Sequence, residues 1–170
     1  YLTRNMTAVD LREMLYNFMN QSLYVEGIAL YAEEHSRGTV KFNDKVFNSY
    51  YLKTAAAAEE MLKTWQASTI KWTNRDSMRI LISLLKKELK EQKYKMGFFL
   101  VYSILFIDNT MTLEIIANIS THKFIKKHEE CMKLVGKKPI ISLTSGDGML
   151  DYNKMLNELT ASYNRLRKAA

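Results

Sequence analysis

A chain of 170 residues with one proline and six glycines has few places where a helix is forced to stop. Glycine and proline oppose helix interiors most strongly. Their scarcity favours long helices over a turn-rich β architecture. The expected fold is all-α: six or seven helices in a single bundle over residues 1–170, with at most a short extended segment near 139–144.

The length suits one domain. A chain of this size buries roughly 70% of its unfolded surface on folding, so its core needs no disulfide or metal. The composition, 47% apolar and 25% charged, argues against disorder over most of the length. The single cysteine, Cys131, cannot form an intrachain disulfide, which points to a reducing, intracellular compartment. Cys131 itself reads as a small buried apolar residue. The chain begins at Tyr1 rather than Met, as expected of a fragment, and no signal-peptide pattern stands at its N-terminus. The longest apolar run, 97–107, is about half the length of a membrane-spanning helix. It reads as a fully buried helix or strand, with Gly97 marking a break before it.

Helix signals recur along the chain. Thr7 with Asp10 resembles a capping box. The face that follows includes Leu11, Leu15 and Phe18 and continues through Val25 and Ile28 to Glu34 after a break. Ser36-Arg37-Gly38 is a stop signal. Asn43 or Asp44 caps a long helix whose face carries Phe47, Tyr50, Thr54, Ala57, Met61 and Trp65 at helical spacing. The alanines at 55–58 allow close approach of a neighbour. Thr73 or Asn74 opens a segment from Arg75 to about Tyr94. Thr110 or Thr112 opens a short helix through Ile119, and another runs from Thr121 to Val135 with Gly136 beyond it. The last helix, from about Met149 to Lys168, follows a turn capped by Ser145 or Asp147. It carries Tyr152, Leu156, Leu159, Tyr163 and Leu166 in a heptad-like seam. That seam either packs on the core or docks on a partner or a second copy.

The net charge of +7 is uneven. Residues 71–95 hold eight basic and three acidic side chains, whereas residues 1–70 are net −1. On a helix, Arg79, Lys86, Lys90 and Lys93 fall within about 60° of one another in a stripe roughly 20 Å long. Lys71, Trp72 and Arg75 lie just upstream. This mixture suits phosphate contact with base stacking. Glu88 and Glu91 dilute the field, and the stripe suits an ordinary solvated face as well; an acidic protein or an anionic lipid is a lesser alternative. In the net +4 segment 121–138, Glu129 and Lys133 are spaced to pair. Lys123, Lys126 and Lys127 are expected to stay unpaired, and would extend the patch where the two helices lie side by side.

Catalytic and metal signatures are weak. None of His35, His122 and His128 follows a glutamate by three residues, as a di-metal bundle requires. One cysteine and three scattered histidines do not suit a zinc site. His128 is expected at the core margin and His35 at a helix end. Gly146-Asp147-Gly148 matches neither phosphate-loop pattern. No cofactor is expected. The sequence points to a non-enzymatic module that binds nucleic acid, RNA foremost, through Lys71, Trp72, Arg75, Arg79, Lys86, Lys90 and Lys93. The alternative is a protein–protein assembly module using the C-terminal seam.

Overall fold

The apolar run is the centre of the molecule. In the computed structural model, which describes residue 16 and residues 19–69, 94–143 and 146–168, it forms a helix over 94–107. Met96 and the six side chains from Phe99 to Ile104 are buried. Such a helix, apolar on every side, must be covered from several directions. One cluster of buried side chains joins it to every other described helix.

In chain order, a π-helical stretch Asn20–Val25 runs into α1 (Glu26–Ser36). The long α2 (Asp44–Thr69) follows. The helix over 94–107 is α3. Beyond it come α4 (Leu113–Ala117), α5 (Thr121–Leu134), β1 (Ile141–Ser142), β2 (Leu150–Asp151) and α6 (Tyr152–Lys168). The architecture is predominantly helical, as the shortage of breakers implies.

The caps follow from side-chain chemistry. The Asn43 side chain accepts from the Val46 N–H at 2.9 Å, and Thr112 and Ser120 do the same for α4 and α5. These bonds satisfy donors that have no partner inside their helices. Gly136 ends α5 at φ +68°. There the Lys137 N–H reaches the Met132 carbonyl at 3.0 Å and the Gly136 N–H the Lys133 carbonyl at 3.1 Å. This is the paired-bond C-cap that a left-handed glycine permits.

Three local expectations need correction. Gly97 is not a break: it lies inside α3, where its missing Cβ lets α1 approach. A Cβ on Gly27 would lie 2.5 Å from both C and O of Gly97. The chain before α1 does not break either, because the π-helical stretch carries it through. That extra residue per turn turns Val25 outward while Leu23, Gly27 and Tyr31 face the core. Finally, α6 opens at Tyr152 rather than Met149, and its cap is Asp151, which accepts from the Lys154 N–H at 3.1 Å. Asp147 is exposed upstream, and Ser145 lies outside the described residues.

The extended segment near 139–144 pairs in parallel with a second one not foreseen from sequence, Ile141 with Leu150 and Ser142 with Asp151. The connection between the strands is far shorter than the dozen or so residues that parallel pairs usually need. Gly148 makes it possible. Its N–H donates to the Ser142 Oγ at 3.1 Å, and a Cβ there would meet the Ser142 nitrogen at 2.4 Å.

Candidate functional site

The apolar run contains two buried hydroxyls that must find polar partners: Tyr102 donates to the Lys41 carbonyl at 2.7 Å, and Ser103 turns toward α5. Ser103 is fully buried, and so is His128 on the facing side of α5. The amphipathic pattern of α5 puts Phe124, Ile125, His128 and Met132 on its inner face. The Ser103 Oγ and His128 Nδ1 lie 2.8 Å apart. The Ile140 N–H donates to His128 Nε2 at 3.2 Å.

These bonds define the proton arrangement. Nε2 accepts, so it carries no hydrogen in the neutral ring. Nδ1 therefore holds the proton and donates to the Ser103 Oγ, whose own hydroxyl donates to the Leu100 carbonyl at 2.9 Å. Every polar atom of the trio is satisfied. The ring of Phe99 packs edge-on to the imidazole at 6.0 Å. Burial depresses the His128 pKa from 6.5 to about 3.

A serine beside a histidine invites comparison with a nucleophile and its base, and the geometry argues against it. A base must accept the serine proton. Here the histidine donates to the serine, and both groups have no exposed surface. The trio instead fastens three elements: α3, α5 and the strand following Pro139. The expectation of His128 at the core margin is thus corrected to full burial. The signal available in sequence was Ser103, the one aliphatic hydroxyl in the run 97–107.

A second polar cluster lies at the surface. Asp108, just past α3, is 2.6 Å from the Lys127 Nζ. It also accepts from the Thr110 N–H at 2.9 Å and the Thr110 hydroxyl at 2.6 Å. The Lys127 and Thr110 hydrogen bonds hold its carboxyl well below the usual range, at about 2. Lys127 is thus not the unpaired cation expected from sequence, because α3 brings an acid across to it. Glu129 and Lys133 do pair as their spacing implies, at 3.2 Å. Cys131 is buried, and burial lifts its thiol pKa to about 11. The folded protein is expected to resist a thiol reagent at pH 8, with full reaction only in denaturant. Rapid native labelling would contradict this burial.

The predicted binding residues divide sharply. Lys71, Trp72, Arg75, Arg79, Lys86, Lys90 and Lys93 lie outside the described residues. Lys123 and Lys126 are exposed on α5. Of the C-terminal seam, Tyr152 and Leu156 are buried in the chain's own core. Leu159, Tyr163 and Leu166 lie on α6, with side chains outside the described ones. Among the described residues, no group of three or more His, Cys, Asp or Glu is placed to hold a metal ion, and no helix is long and apolar enough to cross a membrane. Comparison with protein-family models, curated proteins and solved structures finds no match.

Proposed function

We propose that this chain is a non-enzymatic helical module of a reducing, intracellular setting that binds single-stranded nucleic acid, RNA foremost, by phosphate contact. The observation that carries the reading is the concentration of charge: eight basic against three acidic residues over 71–95, with Trp72 among them. On a helix, Arg79, Lys86, Lys90 and Lys93 would share one face, a spacing that suits a phosphate backbone. Trp72 supplies a face on which a base can stack. The exposed Lys123 and Lys126 add cations without an ion pair among the described residues. Lys127 contributes little, since Asp108 neutralises it.

Fluorescence anisotropy with a labelled single-stranded RNA tests the reading. Four to six phosphate contacts should weaken binding roughly 50- to 300-fold between about 50 and 200 mM salt. The double substitution Lys86→Glu and Lys90→Glu should lower the slope of log affinity against log salt by about 1.4. Binding indifferent to salt, or unchanged by the substitutions, would refute it.

A further inference from the structure

The C-terminal corner of α5 presents a feature that the cap itself does not need. The cap uses the Met132 carbonyl, the Lys133 carbonyl, Gly136 and the Lys137 N–H. Between them stand Leu134, 79% exposed, and Val135, 43% exposed. Neither contributes a side chain to the cap hydrogen bonds. The doubly bonded turn fixes the backbone that carries them, so both are held outward at little entropic cost.

Along the chain the flanks of this apolar tip are basic, while Glu130 lies one turn back on α5 and Glu59 of α2 acts on the ring of Tyr51. Lys133, Lys137 and Lys138 flank it within six residues that include no acid. Lys133 is partly neutralised by Glu129 at 3.2 Å. Lys137 is held in place, its Nζ lying 4.8 Å over the ring of Tyr51, whose hydroxyl donates to the Lys138 carbonyl at 3.1 Å. Both ends of the tip are thus anchored, one by the cap and the other by Tyr51 of α2.

Charge selects among occupants. The segment 71–95 is net +5 and the whole chain net +7, so neither that segment nor a second copy complements a lysine-flanked corner. An anionic occupant does. Among anionic occupants, nucleic acid is gripped by cations and by flat aromatic rings, and Leu134 and Val135 offer no such ring. Aliphatic side chains ringed by lysines match an interface where anionic headgroups overlie hydrocarbon.

We propose that the corner from Lys133 to Lys138 docks on an anionic lipid bilayer, with Leu134 and Val135 entering the headgroup boundary and Lys137 and Lys138 facing the headgroups. The contact is peripheral and reversible, because one short tip buries little apolar surface.

Flotation of the full chain with vesicles tests this. Phosphatidylcholine vesicles with about one-third phosphatidylserine should bind the protein, and phosphatidylcholine alone should not. The double substitution Leu134→Ser and Val135→Ser lies at exposed positions and should leave the thermal transition in place. It should reduce vesicle binding about tenfold. Lys137→Gln with Lys138→Gln should reduce binding by a similar factor and remove much of its salt dependence. Vesicle binding that is equal in wild type and the serine variant overturns the proposal, as does binding indifferent to phosphatidylserine. If the serine variant instead loses affinity for single-stranded RNA while vesicles bind neither protein, the corner is a nucleic-acid contact and the proposal fails.

Discussion

Replacing Gly27 with alanine is expected to destabilise the protein by about 2 kcal/mol, although alanine is the better helix former. Two effects oppose each other. Removing a helical glycine contributes about 1 kcal/mol of helix stability. Against it stands a Cβ placed 2.5 Å from two backbone atoms of Gly97, where ordinary contact begins near 3.4 Å. The obstructing atoms are backbone, so no rotamer change relieves the overlap and the two helices must separate. Overpacking of this kind costs about 1–3 kcal/mol, and this geometry belongs at the upper end. The reciprocal change, Gly97→Ala, meets the Leu23 carbonyl oxygen at 2.5 Å and the Gly27 Cα at 2.8 Å, so it should behave alike. For a chain of this length the net loss lowers the melting temperature by roughly 4–8 °C. Gly38→Ala is the control. It has open space around it but φ +71°, so it should lose only the roughly 1–2 kcal/mol of left-handed strain. An unchanged or raised melting temperature for Gly27→Ala would show that α1 and α3 do not cross at this contact.

The second large effect concerns acid. His128 has an ordinary pKa of 6.5 in the unfolded chain and about 3 in the folded one. Below pH 6.5 the unfolded chain takes up a proton that the native ring refuses. Stability therefore falls on acidification through the window from about 6.5 down to 3, by about 1.4 kcal/mol per pH unit once well inside it. The full loss is roughly 4–5 kcal/mol, a large part of the 5–15 kcal/mol that holds a typical domain together. Protonating Nε2 in the folded state is opposed twice: the charge would be buried, and the new N–H would point at the N–H of Ile140. Asp108 also loses native stabilisation in acid, but only as pH falls from 3.8 toward 2. Urea denaturation between about pH 4 and 7 therefore separates the histidine from Asp108. In His128→Gln the overall stability at pH 7 should drop by about 2–4 kcal/mol, since the imidazole bonds and packing are lost. Its decline between pH 7 and 4 should be much shallower than that of wild type. Parallel pH profiles would place the acid sensitivity elsewhere.

Several features of the fold were legible from local chemistry. Asn43, Thr112 and Gly136 act where their side chains, or the lack of one, predicted, because capping depends on atoms only three or four residues apart. The inward face of α2, with Phe47, Thr54, Ala57 and Met61 buried, follows from spacing alone. The candidate site was less legible. Spacing rules reach only along one helix, so they leave Lys127 a free cation, whereas its partner, Asp108, sits in a different element. Tyr152 and Leu156 looked able to serve either the core or a partner, and a heptad pattern is the same in both cases.

By itself the sequence determined the helical class, most of the helix ends and the buried character of 97–107, all of which depend on short-range backbone preferences and hydrophobic period. Only the tertiary structure decided which polar and small residues meet. Glycine weakens an isolated helix, yet in the fold Gly97 is the place where α1 and α3 touch. A lone histidine on the apolar face of Ile125 and Met132 points to the core margin, yet His128 is fully buried. Its partners, Ser103 and the Ile140 N–H, come from 25 and 12 residues away. A buried polar group is tolerated only when such bonds are made, and the chain has to fold before they exist.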